Sequence, residues 1–312
     1  MPMAYPSSSD TKTCLLSIDD LDVSDIERIL ELSGRFASGV TPTLRCFSIA
    51  LLFLTPSLRT RTSFAVAASR LGGAPIAIDT LRLEAGMSTA ESLGDSLRVL
   101  TGLVDVVALR TPEALDHDGV RALAHSPVVN GGDGRVDHPT QTLIDLFAMN
   151  RHCGAIGNLR IGICGDLQTR SVRSLLRLFR RMPPAALRLI SPIGRDGHGI
   201  DLGCISYAVE KTHIVHFEDL DVLYMAGLPE GSGDTKLTAD QRSAYGLTEE
   251  KLKRLPADVT ILSPLPLIDE VTDAVRSDRR FKAYQQSDDG VWVRMAVLSR
   301  LLSFEPSSRV HR

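Results

Sequence analysis

Residues 46–79 read CFSIALLFLTPSLRTRTSFAVAASRLGGAPIAID, and the alternation inside this stretch sets the architecture. An apolar run (46–54) is broken by Pro56, and Ser57 then stands where a helix N-cap belongs. Phe64, Val66, Ala67, Ala68 and Leu71 make the next stretch helical, and a second apolar run (74–79) follows. Strand, helix, strand at this spacing is the unit from which parallel sheets covered on both faces are built.

Working outward, further short apolar or β-branched runs fall at 105–110, 127–130, 160–164, 187–191, 221–225 and 259–262. Between and beside them, 20–34, 90–102, 138–152, 170–182, 248–254 and 288–302 read as helices. The expected fold class is α/β, with two doubly wound parallel-sheet domains and a cleft between them. The first four or five strands go to one sheet and the remainder to the other. The expected division is a loose arm at 1–13, a first domain at 14–148 completed by a C-terminal helix segment (291–312), and a second at 149–290. Residues 227–246, rich in Gly, Ser, Thr and Asp and without a period, read as a long functional loop.

With 312 residues the chain has room for two cores. A net charge of −3 provides no global field toward nucleic acid or anionic lipid, so neither is expected as a partner. No apolar run approaches the roughly 18–20 residues that a membrane span requires. Five scattered cysteines with no CxxC point to reduced thiols and a cytoplasmic setting. His213 and His216 lack an evident third ligand, and Arg160–Gly165 lacks the full glycine signature of a dinucleotide site, so no metal or cofactor is expected. Asp269, Asp273, Asp288 and Asp289 read as helix caps and solvated charges.

Two motifs carry chemistry. Phe53-Leu-Thr-Pro-Ser-Leu-Arg-Thr-Arg-Thr-Ser-Phe64 sets Ser57, Arg59 and Thr60 at a helix N-terminus, where backbone N–H groups and the helix dipole favour an anion such as phosphate. An ordinary capped helix with solvent arginines is the competing account of that motif alone. Asn130-Gly-Gly-Asp-Gly-Arg-Val-Asp-His-Pro-Thr-Gln141 is a glycine-rich loop that opens a helix, with His138 and Gln141 both able to face the strand ends.

Together with Val106–Arg110, Gly165-Asp-Leu167, Asp221–Met225, Pro264-Leu-Pro266 and Gly290-Val-Trp-Val-Arg294, these motifs resemble the aspartate/ornithine carbamoyltransferase family, in the order of its aspartate branch. The resemblance implies that Ser57, Arg59, Thr60 and the backbone N–H of Leu58 hold the phosphate of carbamoyl phosphate. It also implies that Thr60, Arg110 and His138 polarise the carbamoyl oxygen and that Gln141 contacts the carbamoyl nitrogen. The acceptor side would involve Arg170, Gly227, Pro229, Leu265 and Pro266. A homotrimer with shared active sites, acting on carbamoyl phosphate and an amine acceptor, is the assembly the family implies.

The pattern is broken at particular places. Leu58 replaces a threonine, and Thr89 stands where the aspartate branch has a lysine that reaches a neighbouring subunit's site, with Arg82 a possible substitute. Gly227 and Pro229 occupy the positions of an Arg-x-Gln pair that grips a substrate carboxylate, and Ser263-Pro-Leu-Pro-Leu267 replaces His-Pro-Leu-Pro-Arg. Burying a carboxylate without its partner costs roughly 3–5 kcal/mol. The expected acceptor is therefore an amino-acid-like amine other than ordinary aspartate, with a carboxylate or other anion near Arg170. Lys236 or Arg242 restoring a cation, and hence ordinary aspartate transfer, is one alternative; a catalytically weak or silent subunit used for binding or assembly is another.

Overall fold

The computed structural model describes residues 14–40, 45–78, 91–191, 219–228 and 237–303, and the backbone of 207–210. Thr89, Arg82, Pro229, Lys236, His213 and His216 lie outside these residues.

The first sheet has four parallel strands: β1 (Ser48–Phe53), β2 (Ala74–Ile78), β3 (Val106–Thr111) and β4 (Val128–Asp133), in the order β2-β1-β3-β4. The second has five: β5 (Arg160–Cys164), β6 (Ala186–Ile190), β7 (Tyr207–Glu210), β8 (Val222–Met225) and β9 (Thr260–Leu262), in the order β7-β6-β5-β8-β9, again parallel. In both sheets the strand order reverses beside the first strand, between β1 and β3 and between β5 and β8. Ligands of open α/β sheets bind at such switch points, beyond the carboxyl ends of the strands.

The helices are α1 (Val23–Ala37), α2 (Leu58–Arg70), α3 (Leu93–Leu103), α4 (His117–Leu123), α5 (Pro139–Cys153), α6 (Arg170–Phe179), α7 (Ala239–Tyr245), α8 (Glu249–Leu252), α9 (Asp273–Arg276) and α10 (Ala283–Leu301). Four elements escape the sequence reading: β7, α4, α7 and α9. The three helices have four to seven residues, too few for the apolar period to declare itself. α7 also corrects the long loop at 227–246, because Thr238 and Gln241 form a capping box that starts a helix inside it. α10 begins five residues before the expected 288; Asp289, read as solvated, is 3% exposed and paired with Arg151.

α5 is the spine. It is buried over most of its length and runs unbroken through residue 148, carrying the chain from one sheet to the next as a helix. α10 returns to pack against α1, α2 and α5, so Val293, Ala296, Val297 and Leu298 share one core with Ile26, Ile29, Phe64 and Leu143. That same core continues under α5 to Ile161, Val172 and Leu175 of the second sheet's layer. Buried Asp137 adds a polar tie between the units, accepting hydrogen bonds from Ser17 (2.7 Å), Ser174 (2.5 Å) and Arg177 (2.6 Å).

Candidate active site

The carboxyl ends of β1, β3, β4, β5, β8 and β9 face a common cleft, and each delivers a loop or side chain to it. After β1, Ser57 is the N-cap residue of α2, but its hydroxyl makes no bond to the helix. The cap expected from sequence is therefore one of position only. Thr60 in the first turn is buried, while Leu58 is 80% exposed. At the end of β3, Arg110 is anchored twice, Nε donating to Thr55 Oγ1 at 3.1 Å and Nη1 to the Gly131 carbonyl at 3.0 Å.

The glycine loop at the end of β4 lets these groups converge. Gly132 has φ +109°, a conformation that side chains other than glycine's resist. A Cβ built there would lie 3.0 Å from Arg110 Nη1, 3.1 Å from Arg170 Nε and 3.1 Å from His138 Cδ2. One absent methyl group thus marks the point where three expected site residues, from β3, α5 and α6, come together. Next to it, a Cβ on Gly131 would meet Thr60 Cγ2 at 3.4 Å, which brings the α2 turn to the same place.

His138 stands at the N-cap of α5 without capping it, is 4% exposed, and its Nδ1 has no hydrogen-bond partner. Burial, then Arg170, Arg294, Arg110 and Arg59 in that order, hold it well below the usual imidazole range, so it is neutral at pH 7. A neutral imidazole can offer a hydrogen bond to a polarised oxygen without adding a further cation.

The cations themselves lack anions. Among the described residues Arg59, Arg110, Arg170 and Arg294 form no ion pair with a carboxylate. Arg170 Nη1 donates to the Gly134 carbonyl at 2.7 Å, and burial depresses its pKa against the opposing pull of the Asp133 carboxylate. Burial, with Arg170 and Arg59, pushes Arg110 down to about 10. Arg294, which the sequence reading quoted without assigning a role, is 3% exposed and pushed down to about 9 by burial and Arg110. Its guanidinium lies 5.0 Å from the Phe64 ring centre, with only long 3.4 Å contacts to Gly290 O and Thr140 Oγ1, and its Nε is unpartnered. Guanidiniums stay charged even when half-buried, so this cluster favours an anionic ligand.

Arg59, Thr60, Gln141, Ser263, Leu265 and Arg294 line one small cavity. The structure therefore brings Arg59, Thr60 and Gln141 together with Leu265 on one side, and Arg110, His138 and Arg170 around Gly132 on the other. On the second sheet, Gly227 has φ +82° and Gly165 has φ +127°; their backbones meet so closely that a Cβ on Gly165 would fall 2.2 Å from Gly227 O. Pro266 follows Leu265 through a cis peptide bond. Arg242, considered as a replacement cation, is instead paired with Asp269 (Nε–Oδ2, 3.3 Å). Sequence reasoning also passed over Asp145, which is fully buried beside Gln141; its only signal was a carboxylate on an otherwise apolar helix face.

Two parallel-sheet units, with a cationic crevice between their carboxyl edges and a neutral histidine within it, define an enzyme that handles an anionic substrate. The chain belongs to the aspartate/ornithine carbamoyltransferase family: that family's carbamoyl-phosphate-binding domain matches residues 14–151, and its Asp/Orn-binding domain matches 157–301. Among its relatives are aspartate carbamoyltransferase catalytic subunits from Methanococcus vannielii (35% identical, 92% of this chain and 97% of the relative) and Photobacterium profundum (33%, 93% and 96%). A ligand-free aspartate transcarbamoylase from Trypanosoma cruzi superposes with a TM-score of 0.81 at 25% identity, covering 92% of this chain and 95% of that one. The protein is a carbamoyltransferase, closer to the aspartate branch. Among the described residues no helix is long and apolar enough to cross a membrane.

Proposed function

We propose that this enzyme transfers the carbamoyl group of carbamoyl phosphate to the amine of an amino-acid-like acceptor other than ordinary aspartate, releasing phosphate. The observation that carries the donor half is the convergence of Arg110, Arg170 and buried Arg294, with more exposed Arg59, on a neutral His138, none of them in a salt bridge with a carboxylate among the described residues. In this reading the α2 turn (Ser57, Leu58 N–H, Arg59, Thr60) holds the phosphate. Thr60, Arg110 and His138 donate to the carbamoyl oxygen, and Gln141 accepts from the carbamoyl nitrogen. The acceptor amine attacks the carbonyl carbon, negative charge grows on that oxygen, and the C–O bond to phosphate breaks. Donors fixed before reaction stabilise that charge without reorganising; each is worth about 10²–10³ in rate. Arg170 takes the acceptor's α-carboxylate.

The departure from aspartate rests on the opposite wall. Gly227 supplies no side chain, its φ of +82° disfavours one, and Leu265 and Leu267 pack against the apolar core of the second unit. Arg242 is occupied by Asp269. Positions 227 and 267 themselves supply no cation to a second carboxylate, whereas a neutral or apolar distal group loses nothing.

A homotrimer with shared sites fits the surface of the first unit. The edge strand β2 exposes Ile76 (47%), α3 exposes Val99 (53%) and Leu103 (73%), and α2 exposes Leu58 (80%), apolar groups that a second copy would cover.

The test is incubation with carbamoyl phosphate and a panel of amines, following phosphate release and ureido products by mass. Aspartate turning over at least as well as every other amine overturns the altered acceptor. No product with any amine, and no carbamoyl-phosphate binding, overturns the catalytic reading.

A further inference from the structure

Asp145 lies on α5 one turn after Gln141 and is fully buried. Its Oδ1 accepts from Gln141 Nε2 at 2.8 Å and from Gln286 Nε2 at 2.6 Å, and its Oδ2 accepts from the Tyr224 hydroxyl at 2.8 Å. The three donors come from three elements, α5, α10 and β8. The line continues across the cleft: Gln286 Oε1 accepts from the Ser263 backbone N–H at 3.0 Å, and Ser263 Oγ accepts from the Leu265 N–H at 3.2 Å. Gln141, Gln286, Ser263 and Leu265 all line the same cavity.

An amide has a donating end and an accepting end, and a packed site has use for only one orientation. Facing an acceptor-only carboxylate oxygen, Gln141 must turn its Nε2 to Asp145, which leaves Oε1 free for the cavity. Burial raises the Asp145 pKa to about 7, yet the orientation survives proton uptake. A proton on Oδ2 is accepted by the Tyr224 hydroxyl after a simple rotation, and Oδ1 continues to accept from both glutamines.

We propose that Asp145 is a positioning residue that locks the Gln141 carbonyl toward the cleft, so that the site selects a donor bearing N–H groups on its acyl carbon over one bearing a methyl group. The Gln286–Ser263 link holds the opposite wall in register with that carbonyl. This rests on the carbamoyl-phosphate reading above and adds to it a residue with no substrate contact of its own. If Asp145 is removed, the Gln141 amide is free to flip, and its NH2 then opposes the carbamoyl NH2, donor against donor.

Acetyl phosphate is the probe, since it replaces the carbamoyl NH2 by CH3 and changes little else. The dissociation constants of carbamoyl phosphate, acetyl phosphate and inorganic phosphate are measured by calorimetry on the full chain, on Asp145→Ala, on Gln141→Ala and on the double variant. The wild type is expected to favour carbamoyl over acetyl phosphate. Asp145→Ala should lower that preference about tenfold or more, the size of one buried hydrogen bond lost with its partner left unpaired. The preference should approach that of Gln141→Ala, with no further loss in the double variant and with inorganic phosphate nearly unaffected. Asp145→Asn, whose Oδ1 can still accept from both glutamines while its Nδ2 donates to the Tyr224 hydroxyl, should keep the preference near that of wild type. A preference unchanged in Asp145→Ala overturns the proposal. Should that variant fail to fold, Asp145→Leu, close in volume and without an acceptor, takes its place, and an unchanged preference there overturns the proposal. A wild type that binds carbamoyl phosphate no better than acetyl phosphate also overturns it. A wild type that binds neither acyl phosphate refutes the donor reading itself.

Discussion

Gly132→Ala puts the convergence of the cleft to a quantitative test. The added methyl enters a residue with φ +109° and meets Arg110 Nη1 at 3.0 Å, Arg170 Nε at 3.1 Å and His138 Cδ2 at 3.1 Å. Left-handed backbone costs an L-residue roughly 1–2 kcal/mol. With unfolding entropy of about 2.1 cal/mol/K per residue, that loss lowers Tm by only about 1.5–3 °C for a chain of this length. The effect on chemistry should be far larger. Each of the three neighbours must retreat by a few tenths of an ångström, and all three serve the same oxygen or its flanking carboxylate. A misplacement near 1 Å costs about 10² in rate, so a fraction of that, shared among three groups, predicts kcat/KM down about 10- to 100-fold. Gly39→Ala is the matched control: it has φ +93°, and its added methyl meets nothing within 4 Å. Phosphate release in the presence of the best acceptor amine, with Tm from calorimetry, gives both readouts. Wild-type kcat/KM in folded Gly132→Ala would refute the convergence of Arg110, Arg170 and His138 on one reacting group.

Arg59→Ala and His138→Ala should each lower phosphate release by about 10²–10³, and retention of activity in either removes it from the site. Arg294→Met should gain stability, by about 1–4 kcal/mol, because a buried cation without a carboxylate is replaced by an isosteric apolar chain, while phosphate binding weakens; a drop in Tm contradicts the uncompensated-charge account. The raised pKa of Asp145, about 7 against 3.8, has a definite sign: its proton binds the folded state more tightly, so its contribution is fully present below pH 3.8 and is lost as pH rises toward 7. Urea unfolding should therefore shift in favour of Asp145→Asn by about 4 kcal/mol between pH 4 and 8, with His138 cancelling in the comparison, and a pH-independent difference would contradict it. Arg242→Ala should leave the acceptor KM unchanged, since Asp269 already holds its guanidinium; a clear rise in KM would return Arg242 to the acceptor pocket.

The sheets were legible from sequence because buried parallel strands write themselves as continuous apolar runs, as in Ser48–Phe53 and Val106–Thr111. β7, α4, α7 and α9 were not, since one or two periods of pattern are too few to stand out from the surrounding loops. For the site, the glycine loop and the two motifs pointed to the residues that now surround Gly132 and the cavity. Arg294, Asp145 and Gln286 stayed hidden for a common reason. Each matters through partners more than a hundred residues away in sequence, as with Gln286 and Asp145, and local spacing holds no record of such a pairing. Asp289 misled for the opposite reason, because a carboxylate beside Asp288 looks solvated until Arg151 is seen to cover it.

The return of α10 to the first unit has a consequence for how the molecule is made. The first core is roofed by Val293, Ala296, Val297 and Leu298, which emerge from the ribosome after the whole second unit. During synthesis the β1–β4 sheet therefore waits with one apolar layer open, while the second unit, built almost entirely from consecutive residues, can close on its own. Vectorial folding runs backwards here: the half translated first is the half finished last.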